Sequence, residues 1–266
     1  MPPVRSTSFA LLLSATAALA QTPTGIVVPD WALPDSPTHK QVAPPPDFHR
    51  DSVTTNRPIG IFDNQTDVGA ALVPGDATYD AVDGSYTITS AGYNIWYSRD
   101  EFRYLWKKMS GDVSLAATVS FPDPNGFGDR KAALVIRLGL NDDSTEALAA
   151  QHGAGMVHLA RREVQNARIK DMEYRVGSRG GLPSGATPDS LVTLHASRIG
   201  IEKKGDVFQL WVSWQGEPMH PEGAPITLHL QEPFYVGIGF TSHLPATRSS
   251  AKLSDVVLVN GAGTVR

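Results

Sequence analysis

From Ile59 onward, apolar and polar residues alternate with a period of two, as half-buried β-strands require. Ser85–Thr89, Val113–Phe121, Ala132–Leu138, Gly155–Arg161, Val207–Trp214, Ile226–Leu230 and Phe234–Phe240 read as strands. Turn chemistry falls between them: Asp83-Gly84, Ser110-Gly111-Asp112, Pro124-Asn125-Gly126, Lys204-Gly205-Asp206 and Gln215-Gly216. Ile199–Lys203 and Val207–Trp214, around Lys204-Gly205-Asp206, form the clearest hairpin. Asp143–Gln151 fits a helix and an Ala-rich strand nearly equally well. Many short strands at this spacing predict an all-β sandwich or barrel over residues 59–260, with 261–266 as a C-terminal tail.

The chain ahead of this domain has another character. Arg5, the apolar run Phe9–Ala20 and the small residues Ala18 and Ala20 read as a secretory signal peptide over residues 1–20. The run is too short to span a bilayer, which takes about 20 apolar residues. Residues 21–58 carry Pro29, Pro34, Pro37 and Pro44-Pro45-Pro46, a density that favours extended, unpaired backbone. They read as a proline-rich N-terminal arm, able to lie over the domain through Trp31 and Phe48. The expected location is outside the cytoplasm, periplasmic or extracellular.

The chain contains no cysteine, so disulfides, thiolate catalysis and cysteine-ligated metals are ruled out. Without the first 20 residues, 22 Lys and Arg face 27 Asp and Glu, about −5. That balance argues against nucleic acid or an anionic membrane as partner.

Alternation divides each strand into two faces. Phe208, Leu210, Val212 and Trp214 form a plain core face, as do Leu134, Ile136 and Leu138, and Phe234, Val236, Ile238 and Phe240. The opposite faces are mixed, and carry Trp96, Arg137, His158, Arg162, Trp211, Tyr235 and His243. Small residues beside them (Ser114, Ala116, Thr118, Gly237 and Gly239) leave room above a sheet. An indole over small residues, with planar cations near it, suits the apolar face of a pyranose and its hydroxyls. The seven mixed-face residues are therefore candidates for a glycan-binding groove. Covered-surface packing is the competing reading, and an arginine such as Arg137 most often sits in a structural ion pair.

Several stretches together carry a family resemblance: Tyr86–Trp96, Asp100–Tyr104, Ser110-Gly-Asp112, Lys131–Arg137, Met156–Arg161, Gly205–Leu210 and Phe234–Phe240. Over residues 60–260 the chain resembles a bacterial group of concanavalin A-like lectin/glucanase domains. That group includes DUF1349-type modules and extracellular domains found beside Tol-like β-propellers. The resemblance implies a jelly-roll sandwich of two antiparallel sheets, extracytoplasmic placement and a carbohydrate-directed role. It puts Trp96, Arg137 and Arg161 or Arg162 near the concave sheet. Within these 266 residues no propeller or catalytic partner is read beside the domain, which speaks against an accessory role within the same chain.

Complete catalytic patterns are not found. The Glu-x-Asp-x-Glu and Glu-x-Asp-x-x-Glu strands of laminarinase-like enzymes do not occur, nor does the Arg-x-Glu-x-Arg strand of alginate lyases. Arg161-Arg-Glu and Gln151-His152 are fragments of the latter. There is no Gly-x-Ser-x-Gly elbow, and the eight His show no His-x-His or HExxH spacing. His152 and His158 are placed to meet across a turn at Gly153–Gly155 as a surface pair. Structural Ca²⁺ has two candidate loops, Asp80/Asp83 and Asp123/Asn125/Asp129, where turn-stabilising roles are the simpler expectation. No cofactor is expected. The sequence favours a lectin-like glycan-binding protein over a glycan hydrolase or lyase, or an envelope protein with a protein partner.

Overall fold

The computed structural model describes residues 50–174, 196–245 and 247–265. The signal-peptide reading of residues 1–20, and the arm as far as residue 49, lie outside the described residues. In chain order the strands are β1 (Val53–Thr55), β2 (Asn64–Val68), β3 (Asp76–Asp80), β4 (Ser85–Ser90), β5 (Ile95–Trp96), β6 (Arg99–Asp100), β7 (Phe102–Met109), β8 (Val113–Ser120) and β9 (Lys131–Arg137). They continue as β10 (Glu146–His152), β11 (Val157–Arg162), β12 (Lys170–Tyr174), β13 (Arg198–Lys204), β14 (Val207–Ser213), β15 (His220–Thr227), β16 (Phe234–Thr241), β17 (Ser249–Asn260) and β18 (Gly263–Thr264).

Alternation along the chain becomes layering in space. The first sheet runs β1-β2-β7-β16-β9-β10-β11-β12. The second runs β15-β14-β13-β8-β17-β4-β3, with β18 beside β17. Their ladders are antiparallel. The inward halves of both sheets form one core: Val113, Leu115, Ala117 and Val119 from β8 and Phe208, Leu210 and Val212 from β14 meet Leu134, Ile136, Phe234 and Val236. This is a jelly-roll sandwich of two antiparallel sheets.

Gly84, Gly111, Gly205 and Gly216 all take positive φ, as their turns demand. At one side of the sandwich Gly223 of β15 has φ +67°, and a Cβ there would lie 1.7 Å from the Tyr174 hydroxyl. The bare backbone lets Tyr174 of β12 lean across from the facing sheet.

Several elements differ from the sequence reading. Asp143–Gln151 resolves as strand β10, buried on both faces, where Ala147, Ala149 and Ala150 fit the crowding between β9 and β11. The strand expected at Ile226–Leu230 instead runs His220–Thr227, and as an edge strand it tolerates Pro221 and Pro225. Val53–Thr55, read as part of the arm, pairs with β2, and Gly263–Thr264 of the tail pairs with β17. The twelve-residue β17 has no simple period. Its inward set runs Ala251, Leu253, then Val256, Leu258, because a bulge with Asp255 at φ +49° shifts the register against β8.

Candidate functional site

The outer face of the first sheet is covered. Residues 91–101, including the short β5–β6 hairpin, lie over it and build a second apolar cluster from Ile95, Phe102, Tyr104, Trp106, Val135 and Leu148. Gly237 and Gly239 do not provide an open floor. A Cβ on Gly237 would lie 1.9 Å from the Leu105 carbonyl oxygen, and one on Gly239 would lie 2.7 Å from the Phe102 ring. The room expected above them is taken by β7.

Ladder register aligns Tyr235, Arg137, Glu146 and Arg162 across β16, β9, β10 and β11. Asp100 descends onto this row from β6. Arg162 grips it with two bonds, Nη2 to Oδ1 at 2.6 Å and Nη1 to Oδ2 at 2.7 Å, and Arg137 Nη2 donates to Oδ2 at 3.1 Å. Glu146 meets Arg162 Nη1 at 3.2 Å and Arg137 Nε at 3.4 Å. All four side chains are fully buried. Burial works against the charge on Arg162, but Asp100 and Glu146 hold its pKa above the ordinary value. Burial and the adjacent Asp100 raise the Glu146 carboxyl. Two cations and two anions balance here, and the network pins the hairpin to the sheet. Arg161, by contrast, is half-exposed on Glu163 at 2.9 Å.

Next to this lock, Trp96 sits half-buried over His158, ring centroids 5.6 Å apart, and over Lys131 Nζ at 4.7 Å. Lys131 donates to Asn94 Oδ1 at 2.5 Å and to the Ile95 carbonyl at 3.2 Å. Burial pushes its pKa down to about 7. His158 has no solvent exposure, and burial first, then His152 and Lys131, holds it well below the usual imidazole range. His152 and His158 do meet, edge to face at 5.0 Å, but inside the protein rather than on its surface. Tyr235 is half-buried, edge-on to Trp106 at 4.8 Å. His243, 2% exposed, lies in a stack between Phe127 and Tyr93.

Trp211 stands apart. It projects from β14 on the outer face of the second sheet, so the seven candidates do not share one groove. Among the described residues this face is covered only in part: the Met219 methyl lies over Gly200, 3.0 Å from where a Cβ would stand. Trp211, Gly200 and Ala116 are laterally paired across β14, β13 and β8, and Gln209, Glu202 and Ser114 form the next row. Trp211, Met219, Gly200, Ala116, Ser114 and Glu202 line a depression of about 190 Å³. A second of the same size adjoins it through Ser114 and Glu202, reaching Asp112, Lys204 and Asn260. Together they cross four strands, roughly 14 Å at about 4.8 Å per strand. Lys204 Nζ is bound to Glu202 at 2.9 Å, and Asp112 accepts from the Gly205 amide at 2.8 Å. Gly200, Glu202, Met219 and Asn260 were not among the sequence candidates. Gly200, a glycine inside the strand Ile199–Lys203, was the available signal of close approach.

The calcium candidates are engaged in turns: Asp80 Oδ1 accepts from Val82, Asp83 Oδ1 from Ser85 and Asp123 Oδ1 from Asn125. Among the described residues no three His, Asp or Glu side chains gather as metal ligands. No described helix is long and apolar enough to cross a membrane.

The fold defines the class: a jelly-roll sandwich of two antiparallel sheets. No protein-family model matches the chain, and no curated protein matches it in sequence. Among solved structures it is similar to a functionally unknown protein from Saccharomyces cerevisiae, with 12% identity and a TM-score of 0.52 over 80% of this chain and 97% of that one. An alginate lyase from Klebsiella pneumoniae aligns with 12% identity and a TM-score of 0.43 over 70% of this chain and 84% of that one. The lectin UEA-II, complexed with galactose, aligns with 10% identity and a TM-score of 0.37 over 68% and 90%. At these identities the likeness is one of fold, which does not carry function with it.

Proposed function

We propose that this protein is a non-catalytic, lectin-like glycan-binding jelly roll, that it acts outside the cytoplasm, and that its kin are the DUF1349-type modules it resembles. The observation that carries the reading is the shallow groove on the second sheet, where the half-buried Trp211 ring stands beside Ala116 and the Met219 methyl that caps Gly200. An indole here has apolar surface left over for the flat face of a sugar, and Glu202, Ser114 and Asn260 offer hydroxyl partners along the same line. Chemistry that would turn over a glycan is harder to assemble. The carboxylates that converge, Asp100 and Glu146, are held by two arginines away from water. The leader-like residues 1–20 support export.

Affinity electrophoresis against immobilised polysaccharides tests the proposal. Binding to at least one neutral polymer is expected, and Trp211→Ala should weaken it at least tenfold, about 1.4 kcal/mol, with thermal stability little changed. A wild-type protein that passes unretarded through every polymer, or a Trp211→Ala variant that binds as tightly as wild type, would refute it. Reducing-sugar release during the same incubations would turn the assignment toward an enzyme.

A further inference from the structure

Among the described residues two half-buried indoles lie on outer faces, and they point in opposite directions. Trp211 lies on the outer face of the second sheet. Trp96 lies on the outer side of the first sheet, seated on His158 and Lys131, whose side chains project from that sheet away from the core. The sandwich separates them, since packed sheets stand about 10 Å apart before side chains are added on either side.

The two surroundings are alike in chemistry. Beside Trp211 is the carboxylate Glu202, and Asp112 lies at the far end of the adjoining depression. Beside Trp96 is the edge strand β12, on which Glu173 pairs with His158 and Asp171 with Ala160, both on the face opposite the core residues Met172 and Tyr174. Asp171 and Glu173 act electrostatically on Lys131 under the indole. Among the described residues the cations near the two indoles have partners, Arg168 over the Tyr97 ring at 5.0 Å and Arg198 on Thr118 and the Asp255 carbonyl among them. Lys204 is tied to Glu202, Lys131 is buried among carbonyl oxygens, and Arg99, paired with Trp96 across β5–β6, is bound to Asp143 at 3.0 Å. Carboxylates accept from hydroxyls and repel acidic sugars. The fixed bed of His158 and Lys131 also holds Trp96 in one orientation, which lowers the ordering cost of stacking a ligand on it.

We infer that Trp96, rimmed by Asp171 and Glu173, is a second glycan platform, so that one molecule holds two neutral sugar chains on opposite faces and cross-links them. This rests on the glycan-binding reading of the Trp211 groove. A polymer joined through both faces gains avidity beyond either site alone.

Isothermal titration with neutral hexasaccharides (cellohexaose, mannohexaose, xylohexaose and laminarihexaose), with tri-galacturonate as the acidic control, tests the inference. The tightest-binding hexasaccharide should show two sites per chain, and the acidic control none. Trp96→Ala and Trp211→Ala should each leave one site. The charge reversal Glu173→Lys, at an exposed position of an edge strand, should remove the Trp96 site without disturbing the core. Mixed with the corresponding soluble polysaccharide, wild-type protein should raise turbidity, and each single variant should bind without doing so. One site in the wild type, lost in Trp211→Ala and untouched by the Trp96 and β12 changes, would overturn the second platform and leave the first standing. Failure of every hexasaccharide to bind would remove both. Two sites that take tri-galacturonate equally well would overturn the selectivity for neutral sugars and with it the role given to the carboxylate rim.

Discussion

Glu101 is a carboxyl in the wrong solvent. It is 4% exposed, its Oε2 accepts from the Tyr93 amide at 3.0 Å, and its nearest cation, Arg50, stands 3.9 Å away. Burial pushes its pKa up to about 7, with Arg50 and the Tyr93 amide opposing. A folded-state pKa above the unfolded one means that folding takes up a proton. The resulting stabilisation is complete below about pH 4.5 and lost as pH rises through about 7. Glu101→Gln keeps an acceptor for Tyr93 and removes the titration. It should therefore raise the urea midpoint at pH 8, by up to about 3 kcal/mol at ~1.4 kcal/mol per pKa unit, and change little at pH 4. A variant less stable than wild type at pH 8 would show that the Arg50 pairing outweighs burial. None of this was legible beforehand, because a lone Glu in Arg99-Asp-Glu-Phe reads as surface. Trp211, in contrast, was visible from strict alternation in Val207–Trp214.

At the scale of elements, the β5–β6 hairpin is two residues a side and cannot hold itself. Asp100 fastens it to two strands of the first sheet, β9 through Arg137 and β11 through Arg162, with Glu146 of β10 completing the charge balance. Asp100→Asn leaves two buried guanidiniums against one carboxylate. A loss of about 3–5 kcal/mol is expected, with hydrogen exchange rising first in residues 91–101. Equal protection in variant and wild type would show the hairpin is held by its apolar contacts instead. Replacing the whole quartet by apolar residues of matching volume should restore much of the loss. The sequence located the strands carrying Arg137 and Arg162 and placed both on the mixed face. It did not show that this face is roofed, because period-two patterns say which side of a strand is polar and not what lies above it. Six of the seven candidates belong with that roofed sheet, three of them with no solvent exposure. The shallow groove drew on residues whose signals were faint: a glycine in a strand, a methionine in a loop, an asparagine at a strand end.

At the scale of the molecule, the layers were legible and their wiring was not. Alternation names inward residues without saying which strands are neighbours, and the bulge in β17 hid the longest strand altogether. That strand sits between β8 and β4, with Leu253 opposite both Val119 and Tyr86. Pairings this distant in sequence make for slow folding, milliseconds to seconds for all-β domains. A chain stopped at residue 248 keeps every other strand of both sheets except β18, yet it should show no cooperative melt by circular dichroism. A sharp transition in that fragment would contradict the central place given to β17.

The position of β17 also sets an order in time. A ribosome releases β4 and β8 long before the strand that must lie between them, so the second sheet stays open, with two exposed edges, until β17 emerges. During that interval the polypeptide remains threadable and vulnerable to proteases, and the twelve-residue β17 acts as the closing stitch. Whatever handles the nascent chain must therefore wait for β17.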